Sequence, residues 1–178
     1  MSFIRTKKFK LKNGKIMEYA YIVENKWRKR RKNKVKQIMS KYLGRVYRFD
    51  RVSILDFFEF YKIEDINKYL DSKSKHDILF DLIKLELVNH GFEEKNGLME
   101  KQGCYFDLNE RKVHSKRSKK ISIAMNEGFL TNYAIKQILK FEAFDEEEDG
   151  YLLAKLFVEA GINIPKDIFV GFFKKVYK

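Results

Sequence analysis

The stretch EYAYIVENKWRKRRKNKVKQIMSKYLGRV, Glu18 to Val46, decides how the first quarter of the chain folds. Its centre, Asn25 to Gln37, holds eight Lys or Arg among thirteen residues and no acid. A solvated basic tail would lack apolar periodicity, yet this run has it on both sides. Before it, Tyr19, Tyr21, Val23 and Trp27 recur at period two, a strand signal built from aromatic and β-branched residues. After it, Val35, Ile38, Met39, Tyr42, Leu43 and Val46 make a second extended run. The polar RKRRKN between them suits a hairpin connection. An earlier strand, SFIRTKKFKL from Ser2, closes at the turn signal Asn13-Gly14. The expectation is a three-stranded antiparallel meander with a basic hairpin at its far end. A sheet this small is not stable alone and must pack on the rest of the chain or on a partner.

Charge divides the chain in the same place. Residues 1–48 hold 17 Lys and Arg against 2 acids, and residues 49–178 hold 21 against 23, so the net +13 sits in the first quarter. The chain therefore reads as a basic β-hairpin module, 1–48, joined to a near-neutral α+β body, 49–178. Such asymmetry points to a polyanion, nucleic acid first and an anionic membrane surface second. With 44% hydrophobic and 15% aromatic residues among 178, a real core can form. One Pro and 9 Gly argue against long linkers. A single cysteine, Cys104, excludes an internal disulfide and a multi-cysteine metal site, and a reducing, cytoplasmic home is expected. The opening MSFIRTKKFK has no apolar run behind it and does not read as a signal peptide. No apolar stretch of about 18 residues is present, so no membrane span is expected.

Within Glu18–Val46, the elements Tyr19, Tyr21, Ile22, Val23 and Glu24, then Lys34, Val35, Lys36 and Gln37, then Leu43, Gly44 and Arg45 follow a recurring order. The segment resembles the N-terminal part of many DDE-type insertion-sequence transposases and of some uncharacterised archaeal proteins. The resemblance covers about 30 residues and implies a DNA- or RNA-contacting module. Nothing after residue 48 resembles a transposase catalytic core, so the resemblance implies no transposition.

In the body, VSILDFFEFYKIEDINKYL predicts one or two short helices between 54 and 71. SKSKHDILFDLIKLELVNHG predicts the central helix, with Ser74 and Asp77 as a capping box and Gly91 at its end. GFEEKNGLMEKQG predicts a short hairpin on an Asn-Gly turn. CYFDLNERKVH and KKISIAMNEG alternate and are expected to pair, an arrangement compatible with a winged helix. Between them, Arg111 to Lys120 holds six basic residues and no acid, either a phosphate-contacting wing or an exposed loop. The last third predicts three helices: one capped by Thr131, one ending at Gly161, and one opening at Pro165.

Catalytic signatures are missing. His76, His90 and His114 are scattered, and no phosphate-binding loop, dinucleotide fingerprint or nucleophile elbow occurs. DEEEDG, Asp145 to Gly150, mimics the start of a calcium loop, but Leu156 stands where a bidentate Glu is needed, so a solvated acidic loop is expected. Glu93-x-Lys95 with Asp81 shares its residue types with some metal-dependent nucleases. The leading expectation is a non-enzymatic nucleic-acid-binding protein without cofactor, catalytic residue or metal. Its phosphate contacts are Arg28, Lys29, Arg30, Arg31, Lys32, Lys34, Lys36 and Arg45, with Arg111, Lys112, Arg117 and Lys119 from the second basic run. Tyr19, Tyr21 and Trp27 are candidates for base stacking or for core. The alternatives are a structural, ribosome-associated RNA-protein component and a metal-dependent nuclease or recombination-type enzyme.

Overall fold

The structure, a computed structural model, describes residues 2–27 and 35–178. The N-terminal meander forms as expected: β1 (Ser2–Lys10), β2 (Ile16–Trp27) and β3 (Val35–Arg48) pair antiparallel in sequence. Trp27 pairs with Val35 and Asn25 with Gln37, so the two strands run up to the basic connection from both sides. Arg28, Lys29, Arg30, Arg31, Lys32 and Lys34 lie outside the described residues.

The meander does not stand by itself. β8 (Ile121–Met125) joins β3 in parallel from Arg45–Ile121 to Arg48–Ala124, and β9 (Gly128–Leu130) follows, giving a five-stranded mixed sheet. The charge boundary at residue 48 is therefore crossed by hydrogen bonding. β8 pairs only with the last residues of β3. The earlier part of β3 pairs with β2, which is itself paired with β1 as far as Glu24, so only Asn25–Trp27 and Val35–Gln37 form a two-stranded end of the sheet.

A long crossover links β3 to β8, as a parallel pair requires. It contains α1 (Phe57–Tyr61), α2 (Ile66–Ser72), α3 (Lys75–Asn89) and a four-stranded antiparallel sheet of β4 (Glu93–Lys95), β5 (Leu98–Lys101), β6 (Cys104–Asp107) and β7 (Lys112–Ser115). α3 carries the capping box, with Ser74 and Asp77 each bonding the other's main chain. Ile78, Leu79, Leu82, Ile83 and Leu87 are fully enclosed on it. The polar positions of α3 are occupied as well. Asp81 accepts from the Tyr69 hydroxyl at 2.8 Å, and Lys84 meets Glu94 at 2.7 Å. Buried Glu86 accepts from Arg51 at 2.9 Å, from Asn126 at 3.2 Å and from the Asn163 main chain at 3.1 Å. α4 (Asn132–Lys140), α5 (Glu146–Ala160) and α6 (Lys166–Val176) complete the α+β fold, with Leu153, Phe157, Ile168 and Phe172 in the shared core.

Three expectations give way. CYFDLNERKVH folds on itself as the β6–β7 hairpin and does not pair with KKISIAMNEG. Asp107 makes that turn by accepting from the main chains of Asn109 and Glu110, both at 2.8 Å, and Arg111 takes the left-handed conformation, φ 58°. β8 is buried on both faces and suits a sheet interior, as parallel pairing requires. Consequently residues 116–120 pass between two sheets and form no wing. The acidic DEEEDG is not a loop either: Asp145 caps α5, and Glu146, Glu147 and Glu148 occupy its first turn, where the helix dipole favours negative charge.

Candidate nucleic-acid interface

One face of β1–β3 packs on the body through Ala20, Ile22, Leu43 and Val46 against Ala124, Phe129 and Tyr133. The opposite face is open and aromatic. A β-bulge produces this division. Ala20 pairs with Gly44, but Tyr21 pairs with Tyr42, so Leu43 is an extra residue in β3. Tyr42 and Arg45, three apart, would otherwise point to opposite faces. With the bulge, Leu43 and Val46 both reach the core, and Tyr42 and Arg45 both line the same cleft.

Four rings run across the open face. Phe9 meets Tyr19 at 5.7 Å between centroids, Tyr19 meets Tyr42 at 6.2 Å, and Tyr42 meets Tyr21 at 5.5 Å. Tyr42 and Phe9 are exposed, and Tyr19 and Tyr21 are half-buried. Partial burial first, and then the phenols of Tyr19, Tyr21 and Tyr47, push the Tyr42 hydroxyl above its ordinary range, so it stays neutral at physiological pH. Cations flank the rings by register. Lys7 pairs with Tyr19 on one side and Arg45 on the other, and Arg5 pairs with Tyr21. The Arg45 guanidinium lies 4.7 Å from the Tyr47 ring centre, a cation–π contact that fixes its direction.

The second wall comes from the connection between β7 and β8. Ser115 organises it: its main chain and hydroxyl bond Lys119 at 3.0 and 3.2 Å, and Lys116 bonds the Gly103 carbonyl at 3.2 Å. Gly44 lets this wall come close. Its φ is +123°, and a Cβ there would meet the Lys120 carbonyl oxygen. Between the walls lies a cleft of about 730 Å³ lined by Tyr19, Tyr42, Arg45, Tyr47, Lys116, Arg117, Lys119 and Lys120, together with Gln102 and Ser115, and by no acid. Beyond Lys120 a smaller hollow continues past Tyr42 to Lys41 and Lys136.

The structure thus gathers Arg45, Arg117 and Lys119, and it adds Lys116, Lys120, Tyr42 and Tyr47, which sequence reasoning did not select as site residues. Among the described residues, none of these five cations has a carboxylate within 4 Å. Arg111 and Lys112 are held elsewhere. Arg111 lies 4.5 Å from the Phe80 ring centre and 3.3 Å from Asp77, and Lys112 meets Glu110 at 2.8 Å. Lys36 is on β3 where it pairs with β2. Glu93 contacts Lys95 at 2.7 Å on the surface, while Asp81 is engaged by Tyr69 and by Lys73 at 3.1 Å. Among the described residues, no three His, Cys, Asp or Glu side chains gather where they could hold a metal ion, and no helix is long and apolar enough to cross a membrane. Compared with known proteins, the chain matches no family model, no curated protein and no solved structure.

Proposed function

We propose that this protein is a non-enzymatic nucleic-acid-binding protein that holds phosphates in the cleft between β3 and residues 116–120, with the basic Arg28–Lys36 run extending the contact. The observation that carries this reading is the set of five cations, Arg45, Lys116, Arg117, Lys119 and Lys120, converging on one cleft with no carboxylate within 4 Å among the described residues. Like charges brought together and left unneutralised favour an anionic partner that supplies several negative groups at once. The Arg28–Lys36 run adds further positive charge between β2 and β3 in the sequence, and the resemblance to transposase N-terminal segments agrees with a nucleic-acid partner.

The test is affinity against salt concentration for duplex DNA, single-stranded DNA and structured RNA. The triple variant Arg45→Gln, Arg117→Gln, Lys119→Gln weakens binding to every sequence alike. It flattens the log–log salt slope by about 0.9 per lost contact on duplex DNA, or about 0.7 on single strands. Arg28→Gln with Arg30→Gln and Arg31→Gln acts in the same direction. Arg111→Gln and Lys112→Gln leave the slope unchanged, because neither side chain lines the cleft. Wild-type affinity in both triple variants at all salt concentrations would refute the reading.

A further inference from the structure

Cations alone do not distinguish one nucleic acid from another. The rings beside them do. In a duplex both faces of each base are covered by its neighbours, so exposed rings have nothing to stack on. An unstacked base has a free face, and single-strand-binding sheets meet it with aromatic side chains along a basic groove. This sheet presents Phe9, Tyr19, Tyr42 and Tyr21 across three strands, with Lys7 and Arg45 in register on either side of Tyr19. The rings are on the face turned away from the core, and Tyr42 remains 45% exposed after packing. Tyr42 borders both the main cleft and the hollow leading to Lys41 and Lys136, so the cationic surface runs past the ring in two directions, as a backbone path would. The cleft volume falls in the range of pockets that take small molecules, room for about one or two nucleotides.

We propose that the protein binds single-stranded nucleic acid, with an unpaired base stacked on the Tyr19–Tyr42 pair and its phosphates held by Arg45, Lys119 and Lys120. The proposal rests on the nucleic-acid reading above and narrows it to single strands. Stacking on Tyr42 is worth about a tenfold change in affinity per base. Neutral phenols add no ionic contact, so they contribute nothing to the salt slope.

The experiment measures binding of four labelled strands of about 12 nucleotides, within the site sizes of single-strand grooves. These are oligo-uridine, oligo-thymidine, a mixed-sequence duplex of the same length, and an abasic sugar–phosphate strand of equal charge. Wild type is expected to bind the two base-bearing single strands about tenfold tighter than the abasic strand, and tighter than the duplex. Tyr42→Ala and Tyr19→Ala each lower affinity for the base-bearing strands about tenfold, without changing the abasic affinity or the salt slope. Tyr42→Phe and Tyr19→Phe retain binding, which separates stacking from loss of fold. Equal affinity for abasic and base-bearing strands, unmoved by the Ala variants but still salt-dependent, would overturn the stacking proposal and leave the phosphate reading standing. Absence of salt-dependent binding to all four strands would overturn both.

Discussion

Gly44 and the main chain of Lys120 occupy adjoining space, such that a Cβ at position 44 would lie 2.5 Å from the Lys120 carbonyl oxygen. This approach brings the second basic run beside Arg45. Gly44→Ala adds the Cβ and forces a side chain into a left-handed backbone conformation. The expected loss is about 1–3 kcal/mol of stability, measured by urea unfolding. If the cleft holds nucleic acid as proposed, loss of that affinity should accompany it, because the Lys116–Lys120 wall is displaced from Arg45.

Glu86 is the one carboxyl side chain buried among the described residues, and Arg51, Asn126 and the Asn163 main chain all donate to it. Removing the carboxylate leaves those donors without a partner. Glu86→Ala is expected to cost about 3–5 kcal/mol in a denaturation experiment. Arg51→Ala should cost less, because the guanidinium is partly exposed to water. The neighbouring apolar truncation Leu82→Ala should cost about 2–5 kcal/mol through the cavity it leaves.

Glu18 on β2 accepts from Arg48 on β3 at 2.9 and 2.6 Å. That bond, outweighing partial burial, holds the Glu18 carboxyl below its usual range. A depressed carboxylate stabilises the fold above its unfolded pKa of about 4.3, and the contribution fades as pH falls through the lower folded value. Wild type should therefore lose stability more steeply than Glu18→Gln between pH 5 and pH 3, both numbers marking about a unit either side of the unfolded value. Parallel acid-unfolding curves for the two proteins would show that the pair makes no difference to folding.

Cys104 is enclosed in β6, and burial pushes its thiol up to about 12. A thiol-reactive disulfide reagent at pH 8, near the free-cysteine value of about 8.5, should label the unfolded chain and spare the folded one. Above the unfolded pKa the unfolded chain loses this proton while the folded chain keeps it. Stability should then decline with rising pH, and Cys104→Ala should weaken that decline.

Much of the architecture is legible in local chemistry. The Ser74–Asp77 capping box, the Thr131 cap and the Asn96-Gly97 turn all form where their residue types place them. Period-two aromatics mark β2 because its pairing with β1 is regular. β3 is harder to read, since the bulge at Leu43 breaks the alternation and places Tyr42 with Arg45. Its signal is Gly44 next to a core residue, which shows that the backbone is unusual and does not show which side chains change face. DEEEDG has the composition of a loop, yet acids also favour a helix N-terminus, and the Asp145 cap decides between the two. The charge of the 116–120 wall is legible, but its place beside Arg45 is not. It depends on the parallel β3–β8 pair, a contact between residues far apart in sequence.

That parallel pair also sets an order of events in folding. β1, β2 and β3 are neighbours in sequence, whereas β8 must be brought back across three helices and a second sheet. Distant pairings wait on the entropy of closing the intervening chain. Pulsed hydrogen exchange during refolding should accordingly protect the β2–β3 amides before those of β8. Until β8 docks, the inner edge of β3 is open to pairing with any other extended chain, and the positive charge of Lys41 and Arg45 along it opposes such self-association. The charge proposed here to meet nucleic acid thus also acts as a gatekeeper against aggregation on the way to the native state.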